Sequence, residues 1–239
     1  MTSHPSPQRL VTDPLPDILR DDAGHVLMSE GDVGDPARQR AVIQGAFEAW
    51  RRHPLPEGFL SRAFFAGTDG RTVLDYAQWT SAEAYRAFAR DEDGQELVRG
   101  IQAAIGADTE GPGVYRLYRS MKAAAGTPGV TPGVVVRVAF DTDGESTARR
   151  LVDTIVDHYG GEQPPGDEGG GLASHFHIRQ DGLRVVNYSE WTSEEAHQRM
   201  FEGHIDVEDG GPMAVIREIP GVRVLGFRRF LPGLGLRRP

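Results

Sequence analysis

The side chains most able to do chemistry cluster in the second half of the chain. His175 and His177 form a His-x-His pair, and His197 and His204 stand seven apart just beyond it. Imidazoles near pH 7 serve as acids and bases, and two from a strand with one from a helix would suit zinc, copper or non-haem iron. No Asp or Glu at a fixed spacing completes such a set, so no metal is expected. Close to the histidines lie Ser174, Phe176, Asn187, Ser189 and Trp191, a group able to hydrogen-bond and to line a flat slot. Earlier in the chain, Asp75 and Trp79 hold the places matching Asn187 and Trp191. A buried Asp75 would act as a base of raised pKa or pair with an arginine such as Arg62. The chain has no Cys, which excludes disulfides, thiolate metal sites and a cysteine nucleophile. No G-x-G-x-x-G is present to cradle a dinucleotide.

These residues are positioned by an internal repeat. LSRAFFAGTDGRTVLDYAQWTSAEAYR, from Leu60, recurs from Leu172 as LASHFHIRQDGLRVVNYSEWTSEEAHQ at an offset of about 112 residues. Phe64/Phe176, Gly70/Gly182, Tyr76/Tyr188, Trp79/Trp191 and Glu83/Glu195 coincide. Each copy reads strand, helix, strand, strand, helix, strand. In the second copy GVVVRVAF is β-branched and bounded by turn residues, and Leu151, Val152, Ile155, Val156 and Tyr159 follow at helical spacing until Gly160-Gly161. Asp181-Gly182 marks a hairpin, for which a type I′ turn with both residues at positive φ is expected. Pairing across it places Ser174, Phe176, Val185, Asn187, Ser189 and Trp191 on one face. His175, His177, Val186, Tyr188 and Glu190 fall on the other, away from the helices. In copy one the same offset groups Arg62, Phe64, Val73, Asp75, Ala77 and Trp79.

The expected fold is α+β: two ferredoxin-like βαββαβ units packed sheet to sheet as a pseudo-dimeric barrel within one chain. Residues 1–17 read as a disordered Pro-rich tail, 18–119 as unit one, 120–132 as a linker and 133–239 as unit two. GEQPPGDEGGG, from Gly161, is a flexible connection or a lid over unit two.

The pattern HFHIRQDGLRVVNYSEWTSEEAH resembles the antibiotic biosynthesis monooxygenase family of dimeric α+β barrels, and DGRTVLDYAQWTSAEAYRAF and VYRLYRS match it in copy one. That resemblance implies an oxygenase that tailors a polycyclic phenol or anthrone of polyketide type with O₂, without a metal or tightly bound prosthetic group. It also implies alternatives: a ring-cleaving oxygenase supplied with reduced flavin by a separate flavin reductase, a non-redox cyclase, or a binding barrel without catalysis. A sheet Asn and Trp are implicated in such enzymes, which puts Asn187 and Trp191 forward as catalytic, with His175 and His177 as acid–base candidates. Ser174, Phe176, Ser189, His197, Trp79 and Asp75 are candidate substrate contacts. Haem-degrading relatives carry a helix His about ten residues beyond the strand Trp, where this chain has Ala89 and Phe201. Each Trp is open to a second reading as packing beneath the helices, and Asn187 to a structural hydrogen bond. Unit two keeps the richer polar set, unit one having Ala63, Phe65 and Tyr85 for the histidines, so substrate is expected in unit two.

The 239 residues carry 26 Lys and Arg against 35 Asp and Glu, a net charge of −9. That excess of acid disfavours nucleic acid and anionic membranes as partners. No apolar run reaches the length of a membrane span, and a cysteine-free chain suits the cytoplasm. It is expected to work as a monomeric pseudo-dimer or a homodimer on a small aromatic substrate.

Overall fold

Alternating side chains and glycine turns build the two expected hairpins, in a computed structural model that describes residues 11–105, 112–123, 129–163, 170–205 and 212–239. Contacts divide the chain into unit one, up to Val114 with Pro232–Pro239, and unit two, Tyr115–Leu231. The class is α+β, with antiparallel sheets and helices packed on them.

Unit one contains β1 (Val11–Thr12), β2 (His25–Asp32), α1 (Pro36–Arg52), β3 (Phe59–Gly67), β4 (Thr72–Trp79), α2 (Ala82–Arg90) and α3 (Glu92–Ile105). β4 lies between β2 and β3, antiparallel to both. Asp35 caps α1 by accepting from the amides of Ala37 and Arg38, the orphan donors of a first turn. From α1, Val42, Ile43, Ala46, Phe47 and Trp50 are buried, a helical stripe facing the sheet.

Unit two contains β5 (Gly113–Ala123), β6 (Val134–Asp141), α4 (Glu145–His158), β7 (Glu162–Gln163), β8 (Gly171–Arg179), β9 (Arg184–Trp191), α5 (Glu194–Ile205), α6 (Pro212–Arg217) and β10 (Arg223–Arg237), the last running on into unit one at Pro232. Its antiparallel sheet runs β5-β8-β9-β6-β10, with β7 parallel to the end of β5.

The hairpin register is as the sequence predicts. Phe176 pairs with Asn187, Ser174 with Ser189 and His175 with Tyr188, while in unit one Phe64 pairs with Asp75. The turn itself differs. Among the described residues no non-glycine has positive φ, so Asp181 does not take its part in a type I′ turn; of the two, only Gly182 has positive φ, at 73°. Asp181 instead accepts from the amide of Leu183 and pairs with Arg179. A Cβ on Gly182 would lie 2.5 Å or closer to the Glu145 amide nitrogen, at 2.4 Å, so the tip sits against the start of α4.

Three boundaries also shift. Val11–Thr12 pair with Leu236–Arg237 and Pro16 is buried, so the second part of the expected tail is folded. Ser120–Ala123 continue β5, which pairs with β8, instead of opening a linker; a strand is placed by its hydrogen-bond partner, and no local signal names that partner. Two helices, not one, follow each hairpin. Most of the candidate lid, residues 164–169, lies outside the described residues.

Candidate active site

Cross-strand pairs point to one side of a sheet, so the helix-facing surface of unit two can be read strand by strand. β6 contributes Val134, Val136, Val138 and Phe140, opposite Trp191, Ser189, Asn187 and Val185 of β9. β8 adds Ser174, Phe176 and Ile178, and β10 adds Phe227 and Arg229 opposite Val138 and Val136. Helices cover this face as two separate apolar clusters. One joins Phe140, Phe176, Ile178 and Val185 to Leu151, Val152, Ile155 and Val156 of α4. The other joins Val134, Val136 and Trp191 to Ala196 of α5, with Met200 and Phe227 packed against it. Val138 packs against both, and Val138, Asn187 and Phe227 remain half-buried between them.

On this face of the sheet runs a chain of hydrogen bonds. Trp191 Nε1 donates to Ser189 Oγ at 2.7 Å, Ser174 Oγ bonds Ser189 Oγ at 3.3 Å, and Asn187 Nδ2 donates to Ser174 Oγ at 3.4 Å. An indole N–H only donates, so Ser189 is fixed as an acceptor from Trp191. With Ser174 donating to it as well, the Ser189 proton is left for another acceptor. Asn187 Oδ1 is buried and has no hydrogen-bond partner among the described residues. A buried carbonyl without a donor costs about 1–3 kcal/mol, the usual mark of a group kept for a ligand or strained for a reason.

His197 of α5 stands edge-on to Trp191, ring centroids 5.0 Å apart, and also contacts Phe201 and Phe227. Arg229 Nε donates to His197 Nδ1 at 3.0 Å. Burial, and then the neighbouring Arg229 cation, push the His197 pKa down to about 4. The ring is therefore neutral at pH 7 with its proton on Nε2.

His175 and His177 lie on the opposite face, buried, as the alternation predicts. They are not brought together with Asn187 and Trp191, so the acid–base role expected of them beside those residues finds no geometric basis. His177 donates from Nδ1 to the His175 carbonyl at 3.0 Å, and burial followed by the nearby His175 lowers its pKa to about 3. His175 Nδ1 bonds Ser120 Oγ at 2.9 Å. The side chain of His204 lies outside the described residues.

In unit one the corresponding sheet face is packed, and a groove of about 660 Å³ lies instead between α1 and α3, lined among others by Val42, Ala46, His53, Leu97 and Ile101. A single cluster runs from Leu27 through Trp50, Phe59, Phe64, Trp79 and Phe88 to Ile105. Trp50 stacks on Phe59 at 4.8 Å and meets Trp79 and Phe88 at 6.4 and 5.4 Å. Asp75, the counterpart of Asn187, is held by Arg62 through both carboxylate oxygens, Nε to Oδ1 at 2.8 Å. The Arg62 guanidinium also lies over the Trp50 ring, 4.9 Å from its centre. The cavity left beside this pair, bounded by Tyr85, has a volume of about 20 Å³, room for one water at most. Trp79 and Asp75, expected to contact substrate, are thus core and counterion in unit one. Sequence reading missed Val138, Phe227 and Arg229; the alternation in VVVRVAF and GFRRF marks their faces, but only the β10–β6 register unites them with Asn187.

Solved structures share the fold. An anthrone oxidase-like protein superposes with a TM-score of 0.65 at 15% identity, over 93% of this chain and 94% of that one. A candidate monooxygenase from Lactobacillus acidophilus NCFM gives 0.53 at 12% identity over 88% and 95%. This chain has the fold of these proteins. At such identities the likeness is one of fold. A monooxygenase of Streptomyces coelicolor, solved with nanaomycin D, is 31% identical to this chain over 41% of it and 89% of that protein, with a TM-score of 0.35. No family model and no curated protein matches the chain. On this fold, the polar chain of unit two lies on the helix-facing side of the sheet, and His175 and His177 on the other. No helix among the described residues is long and apolar enough to cross a membrane.

Proposed function

We propose that unit two is an oxygenase site for a flat phenolic polycycle, of which an anthrone is the model substrate, using O₂ without a metal or bound prosthetic group. The observation that carries the reading is the half-buried pair Val138 and Asn187 where the two apolar clusters meet, with one amide oxygen left unsatisfied. The fold shared with an anthrone oxidase-like protein supports it.

The chemistry asks little of the protein beyond placement. An anthrone that loses a proton from its CH₂ becomes an electron-rich carbanion able to pass one electron to O₂. Recombination forms a C–O bond, and loss of water leaves the quinone carbonyl: one oxygen atom is kept and the other leaves as water. Asn187 Oδ1 accepts the hydrogen bond of a phenolic O–H. The spare Ser189 proton and the His197 Nε2–H are the donors for negative charge on the substrate oxygen. The apolar clusters exclude water from the reactive anion. No general base stands among Asn187, Ser189, Trp191 and neutral His197, so the substrate must be acidic in its own right.

The test is aerobic oxidation of 1,8-dihydroxyanthrone by the purified chain, followed by O₂ uptake. Turnover in air and none without O₂ supports the reading. Strict dependence on a flavin reductase selects the reduced-flavin version, and equal conversion without O₂ selects the cyclase.

A further inference from the structure

We infer that Arg229 is a positioning residue of the unit-two site: by donating to His197 Nδ1 it locks His197 as a neutral Nε2–H donor and denies it the role of base. The substrate-facing part of this inference rests on the function proposed above.

The argument begins with geometry. Arg229 is on the helix-facing side of β10, opposite Val136, whose other neighbour is Ser189. Its side chain is 14% exposed. The guanidinium fans out over three groups of α5 and its surroundings: Nε to His197 Nδ1, Nη2 to Gln198 Oε1, and Nη1 towards Glu194 Oε1 at 3.7 Å. It also lies over the Phe227 ring, 5.1 Å from its centre. Gln198 and Phe227 are neutral, and the Glu194 carboxylate, 40% exposed, is beyond hydrogen-bond distance.

A guanidinium has donors and no acceptor, and it keeps its proton throughout the working pH range. The nitrogen it faces must therefore be the unprotonated one, which places the ring proton on Nε2. A second proton on Nδ1 would displace the hydrogen bond and set two cations side by side at 3.0 Å. His197 is thus locked in tautomer and in charge by one contact, with Trp191 edge-on to its ring. Unit one has no such device, since Tyr85 takes the place of His197. A tyrosine hydroxyl has no tautomer to fix.

The deciding measurement is ¹⁵N NMR of the histidine rings in the full chain, wild type against Arg229→Met and Arg229→Lys. Wild-type His197 is expected to show an unprotonated Nδ1 and an Nε2–H, with no titration above about pH 5. Arg229→Met should mix the tautomers and raise the titration by a pH unit or more, and Arg229→Lys should recover the wild-type pattern. With 1,8-dihydroxyanthrone in air, Arg229→Met should lower kcat roughly 10-fold with less effect on KM. A wild-type ring protonated on Nδ1, or titrating near 6.5, overturns the inference without recourse to any variant. So does an Arg229→Met protein whose His197 behaves as in wild type. If the tautomer result holds but the wild type neither binds nor oxidises the anthrone, Arg229 keeps its role towards His197 and the proposed function falls.

Discussion

Counted from their N-caps, Asp35 and Gly144, Trp50 of unit one corresponds to Tyr159 of unit two. α1 continues to Arg52 and drives Trp50 into the core, where it is fully buried; α4 stops at His158, and Gly160 and Gly161 leave at φ 63° and 82°. One extra turn of helix thus encloses the first ring fully, whereas Tyr159, at the end of α4, stays partly buried against the cluster of Leu151, Val152, Ile155 and Val156. The polar residues follow the same division: Arg62 neutralises Asp75 in the filled unit, whereas Asn187, uncharged, keeps an unsatisfied oxygen in the open one. The difference teaches that a hairpin of shared register can serve as core or as site, depending on what the preceding helix delivers to it.

Four experiments would break or sharpen that contrast. The largest effect should come from Asn187→Ala or Trp191→Ala, which remove a substrate acceptor and the anchor of Ser189. Turnover of 1,8-dihydroxyanthrone is expected to fall about 100-fold or more, while Asp75→Asn, corrected for folded protein, leaves it unchanged. Steady-state O₂ uptake reads both.

Trp50→Ala should cost about 3–5 kcal/mol in urea unfolding, because the ring touches Phe59, Trp79 and Phe88 and nothing collapses to replace it. Its cavity should take up indole, raising the melting temperature again, with no change in turnover at unit two. Asp75→Asn comes next in stability, about 2–4 kcal/mol, since it leaves Arg62, 11% exposed, without its counterion. Replacing both residues, as Arg62→Met with Asp75→Leu, should recover most of that loss in the same melts.

The smallest effect is that of pH. The folded pKa values of His177 and His197, about 3 and about 4, lie below the ordinary 6.5, so the unfolded chain takes up protons first on acidification. Their contribution is complete above 6.5 and is lost as pH falls from there towards 4 and then 3. Between pH 7 and 5 the melting temperature should drop by roughly 5 °C, and by less in His177→Asn, which keeps a donor for the His175 carbonyl but does not titrate. A drop of the same size in that variant would remove His177 from the account.

Much of this was legible in the sequence because period-two alternation around a Gly turn fixes which side chains share a face. The pairs Phe176–Asn187 and Phe64–Asp75 follow from it directly, as does the placement of His175 and His177 away from Trp191. Local pattern was silent on pairing between distant strands. That is why Ser120 reads as linker until β8 is seen beside it, and why Arg229 and Phe227 are invisible as site residues until β10 is laid on β6. Nor does sequence show what encloses each Trp: Trp79 meets Trp50, Phe59, Tyr85 and Phe88, whereas Trp191 meets His197 and donates to Ser189, whose place Ala77 takes in unit one.

The central claim is that aromatic guests enter unit two and not unit one. A crystal structure with 1,8-dihydroxyanthraquinone tests it most directly. One molecule per chain, lying on Val138 with an oxygen at hydrogen-bond distance from Ser189 or His197, is the result predicted here. Density beside Arg62 and Asp75, or on the face of His175 and His177, would contradict it.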